Sequence, residues 1–331
     1  MMKVAVVGAG VMGCATAREL ARGGHDVTLI DQFEVGHPRG SSHGRSRIYR
    51  YSYPDERYVG MMKDAIELWR ALEAEAGTEI LHRTGGLDMG KRLDAHCAAL
   101  DSHSIPFEVL NTKEAHARWP TLTLPPGDVL YQADGGIVHA DLAWRSLHDG
   151  ALIAGATTER RRIDVLDPDG VPGFDRTVVT AGGWGPALLR GAGIDLAVRP
   201  TRETVAYFRT ADRPPTLVDW GDPSVYALID PRYGLKAGEH IAGPATDPDT
   251  EGPPNAASIE RLTEWVRGRY RNVEPDPIAA ETCIYTNTSD EHFILERHGS
   301  IVVGSACSGH GFKFAPAIGR RLEALARQAA E

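Results

Sequence analysis

The sequence predicts an α/β protein built from two interleaved domains, and three observations carry that expectation. A short β-branched run at its start passes through a glycine-rich turn into a helix-forming stretch. The same order of strand, glycine turn and helix returns near the C-terminus, from Ser300 onward. Between the two lie further β-rich segments, separated by Pro- and Gly-rich loops. At 331 residues the chain also exceeds what one hydrophobic core usually supports.

Residues 3–7 (Lys-Val-Ala-Val-Val) read as a strand covered on both faces in a parallel sheet. Gly8-Ala9-Gly10-Val11-Met12-Gly13 follows, and residues 14–22 read as a helix stopped by Gly23-Gly24. Residues 26–30 form a second apolar strand that ends in Asp31. Gly8 permits the tight turn, Gly10 lets the backbone approach a pyrophosphate, and Gly13 lets the helix pack on the strand. The helix N-terminus adds free N–H groups and a partial positive charge for phosphates. Asp31 stands where a carboxylate can accept from ribose hydroxyls. An ordinary tight turn would explain the glycines but not the acid, so the pattern points to a bound dinucleotide.

Further along, residues 58–76 read as a helix, and 204–208 and 225–229 as strands of a mixed sheet. A third buried strand, 177–180, closes in Ala181-Gly182-Gly183-Trp184. Arg213-Pro214-Pro215 and Gly252-Pro253-Pro254-Asn255 read as loops. Residues 300–306 form the last buried strand; Cys307-Ser308-Gly309-His310-Gly311-Phe312 turns into a helix over 315–328. Simple NAD domains usually finish in one block. A chain that returns to its ligand from distant segments is more typical of FAD proteins, an argument by analogy.

Composition excludes other classes. A formal net charge of -9 disfavours nucleic acid, and Arg160-Arg161-Arg162 is too short to change that. No apolar run approaches the roughly 20 residues of a membrane helix. Cys14, Cys97, Cys283 and Cys307 lack metal or disulfide spacing, which fits a reducing, cytoplasmic setting. His37, His43 and His82 show no ligand spacing, so no metal is expected. Gly182-Gly183-Trp184-Gly185 has no serine for a nucleophile elbow.

Four segments carry a family resemblance: the opening glycine motif; Gly40-Ser41-Ser42-His43-Gly44-Arg45-Ser46-Arg47-Ile48-Tyr49-Arg50; Gly234-Leu235-Lys236-Ala237-Gly238-Glu239-His240; and the C-terminal block. That block runs from Cys283-Ile284-Tyr285-Thr286 through Asp290-Glu291-His292-Phe293 to Ser308-Gly309-His310-Gly311-Phe312-Lys313-Phe314. In these the chain resembles the monomeric sarcosine oxidase family, within the D-amino-acid-oxidase-like FAD proteins. The resemblance implies a Rossmann-like FAD-binding domain (1–50, 140–200 and 283–331) interleaved with a mixed-sheet substrate domain (51–139 and 201–282). It implies cofactor contacts at Gly8, Gly10, Val11, Met12, Gly13 and Asp31, and at Ser41, His43 and Arg47. Further contacts are implied at Ala181, Gly182 and Trp184, and at Gly309, Gly311, Phe312 and Lys313.

The resemblance also assigns chemistry. Cys283 matches the cysteine that binds the flavin covalently, a role that needs thiolate character and thus the nearby basic Arg47 and His43; without that motif a free cysteine reads as a small buried hydrophobe. Lys236 matches a lysine that activates dioxygen, where a fixed cation stabilises superoxide. His240, four residues on, shares a strand face with Lys236 and borders the substrate amine. Tyr226 matches a pocket tyrosine. Arg50 and Lys313 match the residues that grip a substrate carboxylate. The implied activity is oxidation of a small secondary amino acid, N-methyl or cyclic, to an imine, with O2 reduced to hydrogen peroxide. A dehydrogenase, a biosynthetic oxidase of a cyclic imino acid, or a non-catalytic flavin subunit are the competing readings. A monomer or weak homo-oligomer is expected. The chain departs from the family between 156 and 177, where an antiparallel ribbon is compressed; a trimmed outer layer with intact chemistry is expected.

Overall fold

A computed structural model describes residues 1–328. A six-stranded sheet draws its strands from three distant parts of the chain. Lys3–Val7 lies at its centre, flanked in parallel by Asp26–Asp31 and Arg176–Val179. Ile301–Ser305 adds in parallel beyond Arg176–Val179, and Ile294–His298 closes that edge antiparallel. The other edge is Thr157–Arg160, paired with Asp26–Asp31. The inner strands are apolar on both faces because helices cover one side, and Leu166 with Leu188 and Leu189 of the short helix Gly185–Arg190 the other.

The first helix spans Val11–Arg22 and so begins three residues earlier than expected. Gly10 is its extended N-cap (φ −67°, ψ 179°), so the glycine motif is already helical from Val11 onward. Gly13 is required there, since a Cβ would overlap the carbonyl of Gly8. The helix packs on Ala315–Arg327, which joins the two chain ends. That helix is entered through a 3-10 turn, Phe312–Phe314.

An eight-stranded mixed sheet stands beside the first. Its long strand Arg199–Arg209, expected only over 204–208, is extended because it pairs with both Gly234–Glu239 and Ala279–Asn287. Ala279–Asn287 runs through the domain boundary expected between 282 and 283. Val225–Asp230 and Thr216–Trp220 continue the sheet, and Gly86–Gly90 pairs in parallel with the latter. A three-stranded sheet of Ser46–Tyr49, Leu81–Arg83 and Gly136–His139 sits between the two.

Two further helices pack on this framework. Glu56–Ala76 is capped by Asp55, whose side chain accepts from the Arg57 N–H, and ends at left-handed Gly77 (φ 62°). Its buried Trp69 donates Nε1–H to the carbonyl of Lys313 at 2.7 Å. Ala256–Arg269 was not expected from the sequence, although Asn255 caps it and Leu262 and Val266 form its buried stripe. Its Arg261 and Ser258 bond the buried carboxylate of Glu239, anchoring the strand that carries Lys236. Residues 161–175 hold no strand, only an isolated bridge between Asp167 and Gly170, in line with a trimmed ribbon.

Candidate active site

One continuous cavity of about 1330 Å³ runs from the Gly8–Gly10 turn, across the junction of the sheets, to Lys313. Every residue assigned a site role from sequence lines it, except Gly13, which acts by packing the first helix onto Gly8.

At one end the backbone is shaped for close approach. Gly8 is left-handed (φ 105°), and a Cβ there would stand 2.6 Å from the Thr180 carbonyl oxygen. Gly10 has no side chain to cap the first helix; Ser42 Oγ accepts from the Val11 N–H at 2.9 Å, and the amides that follow are left to a ligand. Asp31 accepts from the N–H of Ala9 at 2.7 Å and of Phe33 at 2.9 Å, with His37 beside it at 3.6 Å. Burial pushes its carboxyl up, but His37 and those two amides outweigh it and hold it below the usual carboxylate range. Two accepted bonds leave lone pairs free for hydroxyls. Trp144, which the sequence did not single out, lines the cavity and donates Nε1–H to the Ala9 carbonyl at 2.9 Å, fixing the turn.

In the middle, the loop before Ser46–Tyr49 folds around Arg47. The guanidinium donates to the carbonyls of Ser41 (2.9 Å), His43 (2.6 Å) and Ser46 (2.9 Å) and lies over the Phe312 ring. Ser41 ties the same loop to the carbonyl of Ile284, beside Cys283. Burial, then Arg47 and Lys236, bring the His43 ring down to about 4, and its Nε2 has no partner. Burial pushes the Cys283 thiol up to about 11, more than Arg47 and Lys236 lower it. Lys236 is buried, with Nζ 3.4 Å from the Ser46 carbonyl oxygen. Burial, followed by Arg47, brings its ammonium down to about 7.

At the far end, Tyr226 and His240 flank Gly238. His240 Nε2 stands 3.2 Å from the Glu291 carboxylate, and the Tyr226 and Tyr285 hydroxyls are 3.4 Å apart. Gly309 is left-handed (φ 72°), and a Cβ there would collide with Tyr285 and His240. Lys313 Nζ donates to the Tyr53 hydroxyl and the His310 carbonyl, both at 2.9 Å. Burial and then Arg50 hold its ammonium well below the ordinary lysine value. Arg50 pairs with buried Asp88 at 3.3 Å. The sequence reading missed Asp88, Tyr53 and Trp220, because no local pattern distinguishes them from strand or loop residues; Tyr285 stood in a quoted motif but was given no role.

A long cofactor suits this cavity, since the Gly8–Gly10 turn, His43 and Cys283 all line one continuous space. Among the described residues no group of metal-binding side chains exists, and no helix is long and apolar enough to cross a membrane.

The model of the FAD dependent oxidoreductase family matches residues 3–325. The peroxisomal sarcosine oxidase of Homo sapiens is 34% identical over 97% of this chain and 90% of that protein. The monomeric sarcosine oxidase of Bacillus sp. is 30% identical over 98% of this chain and 91% of that protein. Among solved structures NikD, an amino acid oxidase essential for nikkomycin biosynthesis, is similar with a TM-score of 0.87 at 25% identity, over 99% of this chain and 95% of its own. With the family model and these relatives in agreement along nearly the whole length, the chain belongs to the FAD dependent oxidoreductase family.

Proposed function

We propose that the protein is an FAD-dependent oxidase of a small secondary amino acid, N-methylated or cyclic, with O2 as electron acceptor. The observation that carries this reading is the charge arrangement at the far end of the cavity. Two buried basic residues, Arg50 and Lys313, share this end with one buried acid, Asp88, which pairs with Arg50. With Lys313 protonated, one positive charge is left over, which suits one substrate carboxylate.

FAD, when bound, would supply the acceptor for a hydride from the carbon beside the amine nitrogen and a route for the electron pair to O2, so that the products would be an imine and hydrogen peroxide. Arg50 and Lys313 would grip the carboxylate, so that the amine lies between Tyr226 and His240. His240, held by Glu291, would keep that nitrogen neutral, since hydride leaves readily only from a neutral amine. Lys236 offers a cation in a dry site where superoxide forms. Gly8, Gly10 and Asp31 would hold the dinucleotide, and Cys283 would tether the isoalloxazine through its 8-methyl carbon. Because burial raises the thiol, Arg47 and Lys236 have to supply the compensating charge for that linkage. The names of the sarcosine oxidase relatives favour the oxidase over the dehydrogenase reading. Four free cysteines suit a reducing compartment.

A peroxide-coupled screen of N-methyl and cyclic amino acids, run beside anaerobic flavin bleaching, tests the proposal. Turnover with peroxide release is expected for at least one secondary amino acid. Bleaching without peroxide would favour a dehydrogenase, and no bleaching by any amine a non-catalytic flavin protein.

A further inference from the structure

Asp88 lies behind the cavity wall, not in it, and two residues that do line the cavity converge on its carboxylate. It sits mid-strand in Gly86–Gly90, where Leu87 and Met89 face a hydrophobic core and the alternation turns Asp88 to the opposite side. An acid buried to 2% exposure in a strand is costly unless its charge is answered. The answer is Arg50, whose Nη1 stands 3.3 Å from Oδ1, and Trp220, whose Nε1–H donates to the same oxygen at 2.9 Å.

The consequence is a fixed guanidinium. Arg50 lies between two rings, with its Cζ 4.5 Å from the Tyr53 centroid and 5.0 Å from that of Trp220. Asp88 therefore holds both the cation and one of the two rings that sandwich it. The fork geometry of Arg50 leaves its remaining N–H donors for a second carboxylate. We propose that Asp88 is a positioning residue, which orients Arg50 and Trp220 so that the substrate carboxylate meets a preformed site. The inference rests on Arg50 being the carboxylate anchor, as proposed above.

Two effects of removing Asp88 have opposite signs, which makes the idea testable. Loss of a negative charge alone would tighten the binding of an anion. Loss of orientation would weaken it, because Arg50 would have to be ordered anew by each ligand. The probe is acetate, titrated into the flavin-loaded enzyme and followed by the perturbation of flavin absorbance. Asp88→Asn is expected to weaken acetate about tenfold, and Trp220→Phe to weaken it less. In an Arg50→Ala background neither change should have a further effect. With the best amine substrate, KM should rise with acetate Kd while kcat changes less.

Acetate binding as tight or tighter in Asp88→Asn overturns the inference, as does an equal loss with and without Arg50. Should Asp88→Asn not retain flavin, Trp220→Phe with and without Arg50 carries the same comparison. Unchanged acetate affinity in Arg50→Ala alone would instead remove the carboxylate-anchor reading on which the inference stands.

Discussion

The ring of Tyr226 lies across Gly238, with its hydroxyl oxygen 2.6 Å from where a Cβ on that glycine would stand. The two residues face each other in the antiparallel register of Val225–Asp230 and Gly234–Glu239. The glycine thus makes room for a ring on the same face as Lys236 and His240, rather than serving backbone freedom. Gly238→Ala is expected to displace Tyr226 and to lower kcat/KM at least about tenfold, a loss of about 1.4 kcal/mol of transition-state binding. Flavin content should stay unchanged, because the cofactor's phosphate turn is remote in sequence and built on another sheet. Steady-state kinetics with flavin quantification check both halves of this expectation.

Lys236 carries the oxygen prediction. Replacement by Met should slow reoxidation of the reduced enzyme by O2 on the order of 100-fold. Reduction by substrate under anaerobic conditions should change far less. Because its ammonium is brought down to about 7, the cation is present below that pH and lost as pH rises through it. Reoxidation in the native enzyme should therefore decline above about pH 7, and the Met variant should be flat over the same range. Stopped-flow measurement of the two half-reactions across pH separates these outcomes.

The proposed link through Cys283 makes a simpler prediction. Acid precipitation of the native protein should carry the yellow colour into the pellet. Cys283→Ala should release it to the supernatant, whereas Cys14→Ala should not, since the Cys14 thiol is fully buried against the Ala9 carbonyl. Colour in the native supernatant would remove the linkage and leave the rest of the site intact.

Lys313 should couple carboxylate binding to proton uptake. Its ammonium is held well below the usual lysine value by burial and Arg50, and an incoming anion would raise it again. At pH values above the depressed value, acetate binding should take up a proton, and Lys313→Met should abolish that uptake. The same variant should raise KM by about 10- to 100-fold, the range for losing a charge-assisted hydrogen bond. Calorimetric titration in buffers of different ionisation enthalpy reads the proton directly.

Much of this site was legible in the sequence because its chemistry is local. Gly8, Gly10 and Asp31 stand in one strand–turn–helix–strand unit, and Gly309, Gly311 and Lys313 in one turn. Short runs of that kind dictate backbone shape on their own, through left-handed glycines and a helix N-terminus that opens at a glycine. The start of the first helix was misplaced for a related reason: Val11-Met12-Gly13 looks like loop by composition, but the extended Gly10 cap makes it helical.

Asp88 and Trp220 were not legible, and neither was the ring of Tyr226 over Gly238. Asp88 meets Arg50 across 38 positions and Trp220 across 132, through pairings between strands that no local pattern encodes. The residue types, the glycine turns and the motif order therefore established a dinucleotide fold and a basic, thiol-bearing site from the chain alone. Which charge answers which, how far burial shifts Lys236, Cys283 and Lys313, and where the aromatic rings close around Arg50 were decided by packing. Desolvation and charge pairing depend on what surrounds a side chain in space, and that neighbourhood exists only once the two sheets have come together.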